Sequence, residues 1–241
     1  MWTLLTVVTV IFVYFAIRIL IDNAFTIRAK FGEVVYPEGD VRGIDISHYQ
    51  DEINWDEVRN AEMGGVPLRF IIIKATQGEK IIDENFNENF AQAKKNGFIR
   101  GAYHYFEPKA DPIRQARHFC KIAQLEEGDL VPVLDVEERG GLSNEELQKR
   151  VIKCLDFIED HYGATPMLYA SASFRTDHLG TPEFDRYPLW IAHYYVEHVT
   201  YKGEWSIWQH SDQGRIEGIK GPVDVNVFNG SYQEFEKLLM Q

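Results

Sequence analysis

The sequence predicts an irregular (β/α) barrel of five strand–helix units followed by three strands, preceded by an N-terminal transmembrane helix. Three observations lead there. Strand and helix signals alternate from Arg42 onward, which implies a largely parallel sheet. Eight candidate strands fit within roughly 190 residues, the strand number that closes a barrel of this kind. The chain opens on an apolar run of about the 20 residues that a bilayer crossing needs. An open doubly wound sheet is the alternative for the main domain.

The candidate strands are residues 43–47, 69–75, 99–106, 130–136, 166–171, 188–193, 205–209 and 225–229. Helix signals lie between the early ones. Asn54 can cap a helix reaching Glu62, and Asp83 one that carries Phe86 and Phe90 and stops at Gly97. Asp111-Pro112 is a cap with proline at the first helical position, ahead of an apolar stripe of Ile113, Ala116, Phe119, Cys120 and Ala123. Ser143 and Glu146 form a capping box before Leu147, Val151, Cys154, Leu155, Ile158 and Tyr162. A short fifth helix fits near 173–179. Connections between the last three strands are too short for crossover helices, so antiparallel pairing is expected there.

Residues 1–21 read as a membrane anchor or, alternatively, a cleaved signal. Trp2 to Ile21 are apolar but for three threonines and Arg18, and no basic leading region or convincing cleavage site accompanies them. Residues 22–40, with Pro37 and Gly39, read as a spacer, and 41–241 as the barrel. Arg18, Arg28 and Lys30 favour a cytoplasmic C-terminal side by the positive-inside rule, but large domains cross largely regardless of such charges. The chemistry below calls for a barrel outside the cytoplasm, anchored to the membrane or secreted.

Hydrophobic residues at 45% and aromatics at 13% support a sizeable core. A net charge of −12 without a basic cluster argues against nucleic acid as a partner. Cys120 and Cys154, each inside a predicted helix, read as free core thiols, or as a disulfide if the domain is exported. No feature fixes an oligomeric state.

The stretch richest in chemistry is Val131 to Glu137, VPVLDVE. Its apolar run reads as a strand buried on both faces, and alternation puts Asp135 and Glu137 on one face, about 6–7 Å apart at Cα. Like charges that close raise one another's pKa. One carboxyl kept protonated beside an ionised neighbour is what glycosidic cleavage needs; an acidic strand end paired with arginines is the plainer reading.

Other strand ends add Asp45 and Ser47, Lys74 and Thr76, Tyr103, His104 and Tyr105, Tyr169 and Ser171, Trp190, Trp208 and Gln209, and Asp224 with Asn226. Barrel active sites form at the C-terminal ends of strands, so several of these would meet at one mouth. Taken singly, Asp45 reads as a turn acid, Lys74 as half of an ion pair, His104 as a satisfied interior histidine, and Asp224 and Asn226 as turn residues. Four acids at the strand ends of one barrel are hard to stabilise without a task. No dinucleotide or phosphate-loop glycine spacing, H-E-x-x-H, two-histidine pair or G-x-S-x-G elbow is present, so neither cofactor nor metal is expected.

In this order the residues resemble glycoside hydrolase family 25, the Chalaropsis-type muramidases. The matching blocks are GIDISHYQ (43–50), IIIKATQG (71–78), GAYHYF (101–106), VPVLDVE (131–137), YAS (169–171), PLWIAHY (188–194), WSIWQ (205–209) and VDVNVFNG (223–230). The resemblance implies a barrel with five β/α units and three final strands. It implies cleavage, with net retention, of the β-1,4 bond between N-acetylmuramic acid and N-acetylglucosamine in peptidoglycan glycan strands. It assigns Glu137 as general acid, Asp135 as stabiliser of the oxazolinium or oxocarbenium charge, and Asp45 and Asp224 as further active-site acids. Tyr103, Tyr105, Tyr169, Trp190, Gln209, Lys74 and Asn226 would bind substrate. Many members read KATEG where this chain has Gln77, a small departure because none of the four acids is lost. A non-catalytic wall-binding module and a hydrolase of another N-acetylated glycan such as chitin are the competing functions.

Overall fold

The computed structural model describes Thr9 and residues 11–19, 24–30 and 32–241. Its strands are β1 (Arg42–Ile46), β2 (Glu62–Met63), β3 (Val66–Gln77), β4 (Ile81–Ile82), β5 (Ile99–Tyr105), β6 (Val133–Asp135), β7 (Met167–Ser171), β8 (Leu189–Ala192), β9 (Ile207–Gly214) and β10 (Val223–Phe228). The helices are α1 (Ala24–Lys30), α2 (Trp55–Val58), α3 (Phe86–Lys95), α4 (Pro112–Ile122), α5 (Asn144–Tyr162), α6 (Ala172–His178) and α7 (Tyr232–Phe235). Eight strands close into a mixed barrel in the order β1-β10-β9-β8-β7-β6-β5-β3, with β3 returning to β1. The short β2 and β4 only extend β3. Helices α2 to α6 follow β1, β3, β5, β6 and β7 in turn.

Alternation along each strand separates two cores, as barrel closure requires. Ile71, Ile73, Ala102, Leu134, Val136, Leu168 and Ile191 pack outward beneath the helices. Phe70, Ile72, Val133, Met167, Tyr169, Trp190 and Ile207 fill the interior. Gly43 is required there, because a Cβ on it would lie 2.2 Å from the Phe70 ring. The barrel floor is closed by Phe235 and Leu238, with the Phe235 ring 5.2 Å from both Phe70 and Phe228. The apolar plug leaves the opposite rim, at the ends of the parallel strands, for polar side chains.

The caps on α4 and α5 form as their spacing predicts. Asp111 accepts from the N–H groups of Ile113 and Arg114, and Ser143 with Glu146 makes a capping box. Other boundaries move. Helix α2 stops at Val58, before the turn of Gly64 and Gly65 that joins β2 to β3, and Asn54 makes no side-chain cap. Asn85 takes the N-cap position of α3 without a side-chain cap bond, while Asp83 accepts from the Asn85 N–H at 3.2 Å and from the backbone N–H and Nδ1 of His48 at 2.9 and 2.8 Å. The pairing expected of the last three strands is half corrected: β9 is antiparallel to β10 but parallel to β8. Residues 193–206 are long enough to bring the chain back across the barrel without a helix.

The membrane-spanning helix expected over residues 2–21 is a correction. Among the described residues no helix is long and apolar enough to cross a membrane. Part of that expected span lies outside the described residues. Farther on, Val34 and Tyr36 pack against the barrel, with Arg42 held over the Tyr36 ring and bonded to the carbonyls of Pro37 and Gly39. Cys120 and Cys154 are both free and buried. His104 is buried and satisfied, Nδ1 on Thr76 Oγ1 at 2.7 Å and Nε2 on Gln115 Oε1 at 3.1 Å. Burial pushes it down to about 3, so it is neutral.

Candidate active site

At the polar rim a cavity of about 250 Å³ opens, and Asp45, Asp135, Glu137 and Asp224 all line it. Three strands deliver them. Asp45 ends β1, Asp135 ends β6 with Glu137 two residues on, and Asp224 begins the antiparallel β10. Because β10 runs against β1, the start of one meets the end of the other, and Asp45 and Asp224 become register partners. A larger groove of about 880 Å³ lies between α2, α3 and residues 218–220, but it contains none of these acids.

The environments of the four differ. Asp135 is 4% exposed, and its Oδ1 has no hydrogen-bond partner. Burial, followed by the charge of Glu137, lifts its carboxyl well above the usual carboxylate range, while the Lys74 cation opposes the rise. Glu137 reaches solvent at the rim. Partial desolvation of its carboxyl still raises it, against a hydrogen bond from Asp135 and the pull of Lys74. Both carboxyls are therefore raised, and Asp135 is the more deeply buried of the two.

Asp45 is raised by burial to about 6, held down by the amides of Asn226 and Gln209. Each amide donates to its Oδ2 at 2.8 Å. Asp224 is pushed up to about 8 by burial and by the charges of Asp45, Asp212 and Glu137.

A second layer fixes these groups. Gln209 Oε1 accepts from the hydroxyls of Tyr169 (2.7 Å) and Tyr194 while its amide holds Asp45. Asn226 accepts from Trp190 Nε1 at 2.8 Å and donates to Asp45. In that chain each amide oxygen accepts and each amide nitrogen donates, so the amides have one workable orientation. The Trp190 ring meets Tyr169 edge-on at 4.6 Å and Tyr103 at 6.4 Å. The cavity therefore has one aromatic wall and one acidic wall.

Of the residues singled out from sequence, Tyr103, Tyr169, Trp190 and Gln209 line the cavity with the acids. Asn226 is buried behind it. Lys74 and Tyr105 stand beside it: Lys74 Nζ donates to Gln77 Oε1 at 2.9 Å over the Tyr105 ring, and Tyr105 donates to Glu138 at 2.9 Å. Sequence reasoning left out Tyr194, which lines the cavity from just past β8. Its only signal was its place at the end of PLWIAHY. Among the described residues no group of three or more His, Cys, Asp or Glu is placed to hold a metal ion.

A family model described as glycosyl hydrolases family 25 matches residues 44–219. The chain is 45% identical over 197 residues to YegX of Escherichia coli K12, spanning 81% of this chain and 72% of that protein. It is 34% identical over 209 residues to lysozyme M1 of Streptomyces globisporus, spanning 79% and 68%. Among solved structures, the bacterial lysozyme of Streptomyces coelicolor matches with a TM-score of 0.76 at 31% identity, covering 84% of this chain and 97% of that one. The family match runs from the first barrel strand to the threshold of the last and takes in Asp45, Asp135 and Glu137; the chain belongs to glycosyl hydrolase family 25 and is a glycoside hydrolase.

Proposed function

We propose that this glycoside hydrolase is a muramidase, acting outside the cytoplasm on the β-1,4 bond between N-acetylmuramic acid and N-acetylglucosamine in peptidoglycan. One observation carries the reading: the unpartnered, buried Oδ1 of Asp135 in a cavity that Glu137 also lines. A buried acceptor without a donor is costly, and an amide N–H of an N-acetylated sugar is a donor of the right kind. A substrate N–H donating to Asp135 favours its carboxylate form, which leaves Glu137 as the carboxyl that carries the proton.

Glu137 then protonates the glycosidic oxygen as the bond to the anomeric carbon breaks. The acetamido oxygen of the same sugar closes onto that carbon, and Asp135 stabilises the positive charge spread over the oxazolinium ring. Water next attacks the anomeric carbon and returns a proton to Glu137. Two inversions give net retention, a substrate-assisted exception to the two-carboxylate scheme. Asp45 and Asp224 complete the acidic wall, and Tyr103, Tyr169 and Trp190 form the stacking wall for the sugar.

The test is a muropeptide profile of digested peptidoglycan by mass spectrometry. Fragments ending in reducing muramic acid are expected. Fragments ending in reducing N-acetylglucosamine would overturn the bond assignment, and binding without release would replace the enzyme reading with a wall-binding one.

A further inference from the structure

Outside the cavity, a second groove of about 620 Å³ opens between the starts of α4 and α5, beside Glu79 and the end of the loop that leaves β5. Five cationic side chains line it, Lys109, Arg114, Lys149, Arg150 and Lys153, against three acids, Glu79, Asp111 and Glu146. This is a cationic excess on a chain of net charge −12.

The acids are committed elsewhere. Glu79 accepts from the Asp111 N–H at 2.9 Å, Asp111 caps α4, and Glu146 accepts from the N–H and hydroxyl of Ser143. Lys149 pairs with Glu145 at 2.7 Å, and Arg150 donates to the Ala110 carbonyl at 3.0 Å. Lys109, Arg114 and Lys153 stay exposed, with Arg114 only 3.6 Å from Glu79 in a long ion pair. No aromatic ring lines the groove, so it is not built to stack sugars.

Its position ties it to the acids. The loop after β6 carries Glu137 and Glu138 and then turns at Gly140 into the Ser143 cap of α5. Gly140 has a φ of +59°, and a Cβ there would lie 3.0 Å from Pro108 of the neighbouring loop. The two loops are thus pressed together, and the loop that leaves the cavity with Glu137 leads directly into the helix that forms one wall of the groove.

We infer that this groove receives the carboxylate-bearing peptide stem attached to the muramic acid being cleaved, an inference that rests on the muramidase reading. That sugar carries its stem on the lactyl group close to the scissile bond. A sugar seated in the acidic cavity sends an anionic peptide outward, and the cationic groove is a surface of matching charge reached along the loop that carries Glu137. Exposed charges are screened, so the groove adds selectivity and a modest gain in affinity rather than catalysis.

The test compares the full chain with Lys109→Glu/Lys153→Glu on intact peptidoglycan and on the same glycan strands stripped of peptides by an amidase. On intact material kcat/KM is expected to fall about threefold to tenfold at low salt, with the gap closing at about 0.5 M salt. On stripped strands the two proteins are expected to match, and Lys109→Gln/Lys153→Gln is expected to lie between them on intact material. Equal losses on both substrates, no loss on either, or a loss confined to walls that retain phosphate polymers would overturn the inference. Failure of the muramidase reading shows separately, as a wild-type chain that cleaves neither substrate. The free stem peptide is then the probe: weaker binding in the variant supports the groove, and equal binding rejects it.

Discussion

Asp45 and Asp224 face each other as direct register partners across the β1–β10 pair, in the wall of the acidic cavity. Like charges opposite one another on neighbouring strands are destabilising, and here they are also withdrawn from water. The site relieves part of this by holding protons. Asp224 is raised to about 8 and Asp45 to about 6.

The first prediction follows from that pair. Asp224 has a folded-state value of about 8 against an ordinary 3.8, so the unfolded chain releases its proton over a range where the folded chain keeps it. Stability therefore falls as pH rises through that window. Asp224→Asn is expected to leave stability unchanged near pH 3 and to raise it at pH 8 by on the order of 1–3 kcal/mol, trimmed by partial exposure. Thermal melts across that range check it; a variant no more stable than wild type at pH 8 contradicts it. Muramidase activity is expected to drop in the same variant, a trade of function against stability.

A second prediction concerns the barrel interior. A Cβ on Gly43 would lie 2.2 Å from the Phe70 ring, so Gly43→Ala is expected to cost about 1–3 kcal/mol through overpacking. Adding Phe70→Leu is expected to return part of that cost. A double-mutant cycle by denaturant unfolding measures the coupling. If Gly43→Ala costs as much beside Leu as beside Phe, the contact is not the cause.

A third concerns Asp135. Asp135→Asn keeps the shape but loses the charge that stabilises the oxazolinium. It is expected to lower kcat by about 10²–10³ on peptidoglycan, while binding of N-acetylated oligosaccharides persists. A kcat equal to that of wild type would remove Asp135 from the chemistry.

The acids were legible in the sequence because strand alternation is a strict rule. The spacing of Asp135 and Glu137 already placed both on one face, and a shared rim followed from the alternating strand and helix signals. The amide network was harder to see. Gln209 and Asn226 both act on Asp45, and only the antiparallel return of β10 beside β9 brings them together. The parallel β8–β9 pairing was missed because a long connection without a helix carries no periodic signal. The apolar pattern of residues 2–21 matched a membrane span in length and composition, but among the described residues no helix is long and apolar enough to be one. Tyr194 lies in irregular chain beyond β8, where alternation no longer says which way a side chain points.

The central claim is that Glu137 delivers the proton to the departing sugar oxygen. It is tested most directly by the turnover of Glu137→Gln on peptidoglycan and on a sugar bearing a dinitrophenyl leaving group, which departs without protonation. The account predicts a loss of about 10²–10⁴-fold on peptidoglycan and a much smaller one on the activated substrate. Wild-type turnover of peptidoglycan by Glu137→Gln, or equal losses on both substrates, would contradict it.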